Sequence, residues 1–283
     1  MSKINFTKMH GIGNDYIYID CFKERIDNPE ELAKVMSPRR TSVGSDGVIL
    51  ICPSDVADAK MRMFNMDGSE GKMCGNGIRC VGKYVYDSGI AKKNTITVET
   101  LSGIKTLLIK TKNGKAVCVK VDMGKPILKP AEIPVVFDGE KMINAPVSIG
   151  GKSVNITAVS MGNPHAVVFC DEIKDLDLEK IGPDFEFDPM FPEQVNTEFI
   201  KVINENNLEM RVWERGSGET FACGTGACAA AVAAILCGYC RKETEITVHL
   251  KCGNLIITYG ADGHIYMEGP AEKAYEGVYE YES

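Results

Sequence analysis

Cys74-Gly75-Asn76-Gly77 and Cys223-Gly224-Thr225-Gly226 are the two stretches that decide the fold of this chain. Each places a cysteine and two glycines at the start of a helix-forming segment, and the two cysteines lie 149 positions apart. If the chain is a duplication, its halves can place equivalent thiols at one pocket. Two opposed acid/base groups are what chemistry on both faces of one carbon atom requires.

The same offset connects matching residues well outside the cysteine motifs. The identical pairs at 149 positions are Gly13-Asn14 with Gly162-Asn163, Met61-Arg62 with Met210-Arg211, and Glu70 with Glu219. Beyond each cysteine segment the offset slips by one residue, and the matches are Ile96-Thr97-Val98 with Ile246-Thr247-Val248, and Gly103 with Gly253. A period this long exceeds that of solenoid repeats. It therefore predicts two similar domains.

Composition excludes several classes of protein. The chain has 283 residues, 44% of them hydrophobic, which is enough for two domains with cores of their own. A net charge of −7 without a basic block argues against a nucleic-acid partner. The longest apolar stretch, residues 227–237, is too short to cross a bilayer, and no signal peptide is visible after Met1. Eleven cysteines without an export signal indicate free thiols, so we expect a cytoplasmic protein without a membrane partner.

Short β-rich runs dominate the chain, and two main helices interrupt them. The runs that predict strands are residues 16–19, 48–51, 60–64 and 117–121. Asn113-Gly114 is typical of a hairpin turn, and residues 261–264 take its place in the second half. The helices are predicted at about 77–87 and 226–236. The second is apolar nearly all round, which predicts that strands enclose it.

These elements predict an α+β fold of two pseudo-symmetric domains, each a curved or barrel-like, mostly antiparallel sheet around a central helix. The proline-rich segment 125–134 predicts the linker between them. We therefore expect an N-terminal domain at 1–125 and a C-terminal domain at 126–268. The segment 269–283 has no counterpart in the repeat and is predicted to return to the first domain. A further short helix with an N-cap is predicted to open at Asn28-Pro29.

The cysteines precede glycines that open a helix, where backbone N–H groups lack partners and a partial positive charge develops. A thiolate is stabilised there, so we expect its pKa to fall towards neutrality. The N–H groups also bind anions. The residues expected to hold one substrate carboxylate in this way are Gly75, Asn76, Gly224 and Thr225. Cys74 and Cys223 are then expected on opposite sides of an α-carbon, one thiolate removing the α-proton and the other thiol delivering a proton to the opposite face.

Three other interpretations of the cysteines stay open. In the first interpretation they are structural thiols, as most buried free cysteines are. In the second interpretation they bind zinc, since Cys237-x-x-Cys240 has metal-like spacing, although no second pair completes it. Finally, Gly224-x-Gly226-x-x-Ala229 superficially fits a dinucleotide-binding fingerprint, but no strand runs directly into it and Lys251 stands where an acidic residue is required.

Longer motifs around the cysteines are more specific than either Cys-Gly-x-Gly alone. Those of the first half are Lys8-Met9-His10-Gly11-Ile12-Gly13-Asn14-Asp15, Phe64-Asn65-Met66-Asp67-Gly68-Ser69-Glu70 and Met73-Cys74-Gly75-Asn76-Gly77-Ile78-Arg79-Cys80. Those of the second half are Gly162-Asn163-Pro164-His165-Ala166-Val167, Glu214-Arg215-Gly216 and Ala222-Cys223-Gly224-Thr225-Gly226-Ala227. Over nearly its whole length the chain resembles the diaminopimelate epimerases, cofactor-independent enzymes of lysine and peptidoglycan-precursor synthesis.

The resemblance implies a role for each site residue. In the direction from L,L- to meso-diaminopimelate, it implies Cys223 as proton acceptor and Cys74 as proton donor, with His165 and Glu214 as their hydrogen-bonding or basic partners. The further substrate-binding residues that it implies are Asn14, Asn65, Asn163, Asn196, Glu214 and Arg215. It also implies a homodimer that acts on diaminopimelate without a cofactor or a metal.

The residue types suit these roles. Asparagine offers both a donor and acceptors, so it can bind an ammonium or a carboxylate group. Arginine is the natural bidentate partner of a second carboxylate. Glu214 lies nine residues before Cys223, as Asn65 lies before Cys74, so the two are expected at matching places. Gly47, the repeat counterpart of Asn196, has no side chain to contact substrate.

Two alternative functions belong to different classes. A proline or hydroxyproline racemase uses the same pair of thiols. That family typically has histidine where this chain has Asn76, and Arg215 is surplus for a substrate with one carboxylate. A thiol-based metal or redox-binding protein would contain zinc and lack isomerase activity.

Overall fold

A computed structural model describes residues 2–281 of the chain. These residues form four α-helices and eighteen β-strands, which confirms the predicted α+β class. The chain divides into two compact units. The first comprises Met1–Val121 with Glu268–Ser283, and the second comprises Asp122–Met267. Among the described residues, no helix is both long and apolar enough to span a membrane.

The first unit is a sheet with two helices. Its elements, in chain order, are β1 (Ser2–Gly11), β2 (Asn14–Asp20), α1 (Pro29–Met36), β3 (Gly47–Cys52), β4 (Ala59–Asn65), β5 (Glu70–Gly71), α2 (Gly75–Asp87), β6 (Thr95–Thr100), β7 (Gly103–Lys112), β8 (Lys115–Gly124) and β18 (Glu272–Tyr281). The strands pair in the order β18-β1-β2-β3-β4-β6-β7-β8, and β5 adds to β4. The β2–β3 and β4–β6 pairings are parallel, and the others named here are antiparallel.

The second unit repeats this plan. Its elements are β9 (Ala145–Ile149), β10 (Lys152–Ser160), β11 (Pro164–Phe169), α3 (Leu178–Glu186), β12 (Asn196–Asn204), β13 (Asn207–Glu214), β14 (Gly218–Glu219), α4 (Gly224–Leu236), β15 (Glu245–Leu250), β16 (Gly253–Tyr259) and β17 (Ile265–Pro270), which ends beyond the unit boundary. The strands pair in the order β9-β10-β11-β12-β13-β15-β16, and β14 adds to β13. Here the β11–β12 and β13–β15 pairings are parallel, at the positions equivalent to those in the first unit.

The duplication extends to the strand register. Ile17 pairs with Val48 in the first unit, and Ala166 pairs with Thr197 in the second, so both partners shift by 149 positions. An ion pair is repeated at the same offset, and its glutamate lies in the two-residue strand before each cysteine, β5 or β14. The two equivalent pairs, Nε to Oε1, are Arg62–Glu70 at 2.7 Å and Arg211–Glu219 at 2.8 Å. The 149-residue offset therefore reflects one structural framework built twice.

A central helix organises each unit. Helix α2 packs against β1, β2, β4 and β7, and helix α4 packs against β10 to β13, β15 and β16. Because strands from both halves of the pairing order contact one helix, each sheet must curl around it. Ten of the thirteen residues of α4 are buried, which confirms the prediction from its apolar sequence. Both helices begin two residues before their predicted starts, because the preceding cysteine caps them.

The smaller sequence features are also present. The β7–β8 hairpin turns through Asn113 and Gly114, whose φ angles of 53° and 75° are those of a type I′ turn. Asn28 caps α1 by accepting a hydrogen bond from the backbone N–H of Glu31 at 3.4 Å. The segment 125–134 is a folded part of the second unit, where Ile127 exchanges two backbone hydrogen bonds with Ser160.

The segment after Pro270 completes the sheet of the first unit. Strand β18 runs antiparallel to β1, from Tyr281 opposite Ser2 to Glu272 opposite His10. The buried Arg79 of α2 donates a hydrogen bond from Nε to the carbonyl oxygen of Pro270 at 3.2 Å. The first unit is therefore built from two distant parts of the sequence.

Helix α3 packs closely on Trp213 of strand β13. The indole Nε1 donates a hydrogen bond to Glu186 Oε2 at 2.7 Å. A Cβ atom added to Gly182 would lie 2.2 Å from Trp213 Cδ2, and further ring atoms are within 2.6 Å. Only glycine lets the helix approach the indole this closely.

We predict that Gly182→Ala lowers the free energy of unfolding by about 1–3 kcal/mol, since the added methyl group overpacks a rigid aromatic ring. Lys180→Ala, at an exposed position of the same helix, should change it by less than about 0.5 kcal/mol. Urea unfolding followed by circular dichroism measures both. A Gly182→Ala protein as stable as the unmodified chain would contradict the close packing described here.

Candidate active site

Both cysteines predicted to be catalytic cap the helix that follows them. Cys74 has an extended backbone (φ −124°, ψ 122°), and its Sγ accepts a hydrogen bond from the N–H of Gly77 at 3.3 Å. Cys223 repeats this arrangement (φ −109°, ψ 111°), with the N–H of Gly226 also at 3.3 Å. This is the N-cap geometry more often made by serine or aspartate. Each sulfur is therefore held at the positive end of a helix.

A hydrogen-bonded chain positions the acceptor of the Cys74 thiol. Cys74 Sγ donates to Asn14 Oδ1 at 3.2 Å, and Asn14 Nδ2 donates to Asp46 Oδ2 at 2.7 Å. Arg39 Nη2 donates to Asp46 Oδ1 at 2.6 Å and to Asp15 Oδ1 at 2.7 Å. These bonds fix the Asn14 amide with its oxygen towards the sulfur.

Tyr16 lies beside Cys74 and was missed by the sequence analysis. Burial raises the pKa of the Tyr16 hydroxyl well above its usual value, and the neighbouring Cys74 raises it further. The phenol therefore stays protonated at ordinary pH and can donate a hydrogen bond. The repeat offset could have identified it, because Tyr16 is the counterpart of His165.

Cys223 lies in a more acidic and more buried environment. Its side chain lies against Thr225, with Sγ 3.5 Å from the Oγ1 atom, and the residue is 4% exposed. Burial raises the pKa of the Cys223 thiol well above its usual value, and the charges of Glu214 and Glu198 raise it further. Hydrogen bonds from Thr225 and Gly226 lower it by less. The expected fall of the pKa towards neutrality is therefore wrong for Cys223, because burial and two carboxylates outweigh the helix terminus.

His165 forms a fully buried pair with Glu198, a residue that the sequence analysis did not single out. Both side chains are 0% exposed, and His165 Nδ1 lies 2.7 Å from Glu198 Oε1. The other ring nitrogen, Nε2, lies 3.1 Å from Asn163 Oδ1. A signal for Glu198 was present in the repeat, because its counterpart is the apolar Ile49.

Glu214 ends β13 before the loop that leads to Cys223, and Asn196 begins β12. Thr220 Oγ1 donates a short hydrogen bond to Glu214 Oε1. Asn196 Nδ2 donates to the carbonyl oxygen of Pro164 at 2.8 Å, and Asn196 Oδ1 accepts from the backbone N–H of Arg215 at 3.1 Å. The Asn196 amide thus joins the segment carrying His165 to the segment carrying Glu214.

Asn65 occupies the matching place in the first unit. Its Nδ2 donates to Ser69 Oγ at 3.0 Å, and it lies opposite Gly47 in the β3–β4 ladder. A Cβ atom added to Gly47 would lie 2.1 Å from the carbonyl oxygen of Phe64, and the φ of 155° disfavours any other residue. A side chain like that of Asn196 therefore does not fit here.

The structure places the predicted site residues in two groups, one in each unit. In the first unit, Cys74 caps α2 and is hydrogen-bonded to Asn14, Gly75 and Asn76 form the first turn of that helix, and Asn65 ends β4. The group around the start of α4 contains Asn163, His165, Asn196, Glu214, Arg215, Cys223, Gly224 and Thr225. Residues 2–281 contain no cluster of three or more His, Cys, Asp or Glu side chains arranged to hold a metal ion.

Comparison with known proteins gives the same family as the sequence motifs. The family model for diaminopimelate epimerase matches residues 6–129 and 157–274. The diaminopimelate epimerase of Acetivibrio thermocellus is 57% identical over 97% of this chain and 98% of its own length. That of Methanococcus maripaludis strain S2 is 54% identical over 97% of this chain and 99% of its own length.

A solved structure shows the same fold. It is the Bacillus anthracis phenazine biosynthesis protein of the PhzF family, with a TM-score of 0.72 and 20% identity over 99% of this chain and all of that chain. At that identity, the likeness concerns the fold alone. The family model and the close relatives lead to one assignment. The chain belongs to the diaminopimelate epimerase family.

Proposed function

We propose that this protein interconverts L,L- and meso-diaminopimelate by moving protons through two thiols. Epimerase activity on diaminopimelate, without pyridoxal phosphate, follows from the family. In the L,L-to-meso direction, the Cys223 thiolate removes the α-proton, so that an S–H bond forms as the Cα–H bond breaks. The Cys74 thiol delivers its proton to the opposite face of the carbanion and becomes a thiolate. The reverse reaction exchanges the two roles.

The observation that carries this proposal is the repetition of one cysteine geometry in both units. Each sulfur caps its helix at the same backbone N–H, at the same distance of 3.3 Å. Each is followed by first-turn residues whose N–H groups suit the substrate carboxylate and the enolate-like charge that develops during proton transfer. The proposed donors are Gly75, Asn76, Gly224 and Thr225.

The two thiols differ in the groups that surround them. Cys74 donates to an amide oxygen, while Cys223 lies among carboxylates that raise its pKa. A thiolate whose conjugate acid has a high pKa is a stronger base, which favours removal of a weakly acidic α-proton. His165 and Glu214 are proposed as the groups that adjust the two thiols.

The distal end of diaminopimelate carries a second carboxylate and a second ammonium group. Arg215 is the proposed partner of that carboxylate. It is exposed, and it donates from Nη1 to the carbonyl oxygen of Glu193 at 2.7 Å, while a guanidinium has five N–H donors in all. The asparagines proposed to bind the substrate are Asn14, Asn65, Asn163 and Asn196.

Deuterium exchange in D2O distinguishes the two thiols. Reduced protein incubated with L,L-diaminopimelate should form the meso isomer with deuterium at the α-carbon. We predict that Cys74→Ala forms no meso isomer but still exchanges the α-proton of the L,L isomer, since Cys223 can remove and return it. The Cys223→Ala variant should instead exchange the α-proton at the D-configured centre of the meso isomer. Epimerisation in both should fall by at least about 1,000-fold, as measured by NMR.

Cys252→Ala provides the control, because Cys252 is exposed and outside the site. It should retain full activity. Proline serves as a parallel substrate and should not exchange. Epimerisation by either Cys→Ala site variant at the normal rate would exclude the two-thiol mechanism, and absence of exchange with diaminopimelate in the unmodified protein would exclude the function.

A second prediction concerns the charge beside Cys223. Since the Glu214 carboxylate raises the pKa of the Cys223 thiol, Glu214→Gln should lower that pKa and increase the thiolate fraction at a given pH. The pH midpoint of Cys223 alkylation by iodoacetamide, resolved by peptide mass spectrometry, should move to lower pH. Glu172→Gln, at an exposed acid of the same unit, should leave the midpoint unchanged. A midpoint that stays or rises in Glu214→Gln would contradict the electrostatic argument.

We also propose that the protein is a homodimer, as the family resemblance implies. Support comes from Tyr275 and Val278, apolar residues of β18 that are 47% and 57% exposed. Light scattering coupled to size-exclusion chromatography should give twice the chain mass of 30.9 kDa. Tyr275→Glu should shift the equilibrium towards the monomer, and a monomeric unmodified protein would contradict the proposal.

A further inference from the structure

We propose that Glu198 is a positioning residue of the epimerase reaction, which holds His165 through Nδ1 and thereby orients Nε2 and the amide of Asn163. This inference rests on the proposed function of the same site. Glu198 does not occur in any of the motifs that carry the family resemblance. It lies two residues after Asn196 on strand β12, which pairs in parallel with the strand carrying His165.

The geometry places the three side chains in one line of contacts. Glu198 Oε1 lies 2.7 Å from His165 Nδ1, and His165 Nε2 lies 3.1 Å from Asn163 Oδ1. An ionised carboxylate only accepts hydrogen bonds, so it keeps the proton of the imidazole on Nδ1. In Ser-His-Asp triads, a buried carboxylate fixes the orientation and tautomer of a histidine in this way. Nε2 faces Asn163 Oδ1, which also accepts, so the two contacts require the ring to donate from both nitrogens.

The fold itself does not require an acid at this position. Glu198 Oε2 is buried and has no hydrogen-bond partner among the described residues. Burial raises the pKa of Glu198, which reflects the cost of keeping the carboxylate ionised there. Such a group normally destabilises a protein by the desolvation it suffers. A residue that is unfavourable for stability in a buried site is often retained for function.

The first unit shows what an apolar residue does at the same place. Ile49, the counterpart of Glu198, fills the space against the start of α2, where a Cβ atom added to Gly77 would lie 2.7 Å from Ile49 Cδ1. Glu198 packs the same way against α4, where a Cβ atom added to Gly226 would lie 2.5 Å from Glu198 Oε1. Isoleucine therefore satisfies the packing, and the carboxylate of Glu198 adds its bond to His165 and a charge near Cys223.

This comparison defines the test. Glu198→Ile keeps an apolar side chain in the space, Glu198→Gln keeps the shape without the charge, and Glu198→Asp keeps the charge on a shorter side chain. We expect the first two to remain folded and to lose about 10- to 100-fold in kcat/KM for diaminopimelate, the range found when a group that orients a metal-bound histidine is removed. The Asp variant should recover part of the loss. Glu268→Gln, a buried acid of the first unit, is the matched control and should retain activity.

The second readout does not depend on activity. In protein labelled with 15N at its four histidines, the His165 signal, assigned with His165→Asn, should show a protonated Nδ1. Glu198→Ile and Glu198→Gln should lose the proton on Nδ1, because Asn163 Oδ1 is then the only remaining acceptor among the described residues and it faces Nε2, while Glu268→Gln should keep it. A purely structural role predicts instead a lower melting temperature with unchanged kcat/KM in the folded fraction.

Three results would overturn the proposal. One is kcat/KM within about twofold of the unmodified protein in both Glu198→Ile and Glu198→Gln. Another is a loss of activity with an unchanged His165 spectrum. The third result applies if neither variant folds. It is a spectrum of the unmodified protein in which His165 has no proton on Nδ1, which would exclude the pairing of His165 with Glu198. Failure of the unmodified protein to exchange diaminopimelate would reject the function separately, since the spectrum is measured without substrate.

Discussion

A thiol bonded to the third backbone N–H of a helix is the interaction on which the site depends. It fixes the sulfur at the positive helix end and leaves the first-turn N–H groups directed past it. Gly77 and Gly226, which donate these bonds, lie close to the side chains of Ile49 and Glu198, so a Cβ atom at either position would force one of those side chains to move. The central helix, the enclosing sheet and the reactive sulfur are therefore set by the same few contacts.

The two units share this framework but differ chemically around the sulfur. In the first unit the cysteine is adjacent to neutral groups, Asn14 and Tyr16. In the second unit the cysteine lies near Glu214 and Glu198. The strands, the ion pairs and the capping cysteines keep the symmetry, whereas neighbours of the sulfur such as Tyr16 and His165 differ.

Much of this could be predicted from the sequence, because the 149-residue offset relates strand to strand and helix to helix. The offset does not reveal which residues meet across a parallel ladder. Glu198 reaches His165 only through the β11–β12 pairing, a contact between positions 33 apart. The raised pKa of Cys223 depends on burial and on these carboxylates, neither of which follows from a helix start. The early helix starts were missed because cysteine is not among the usual N-cap residues.

The return of the chain to the first unit has a consequence for synthesis. Strand β1 needs β18 as its partner, so the first unit stays incomplete until the ribosome has made residues 272–281. The second unit is contiguous from Asp122 to Met267 and can close first. At about 5–20 residues per second, β1 waits on the order of ten seconds or more with an unpaired edge. During that interval a nascent chain is exposed to strand pairing with its neighbours on the same messenger RNA.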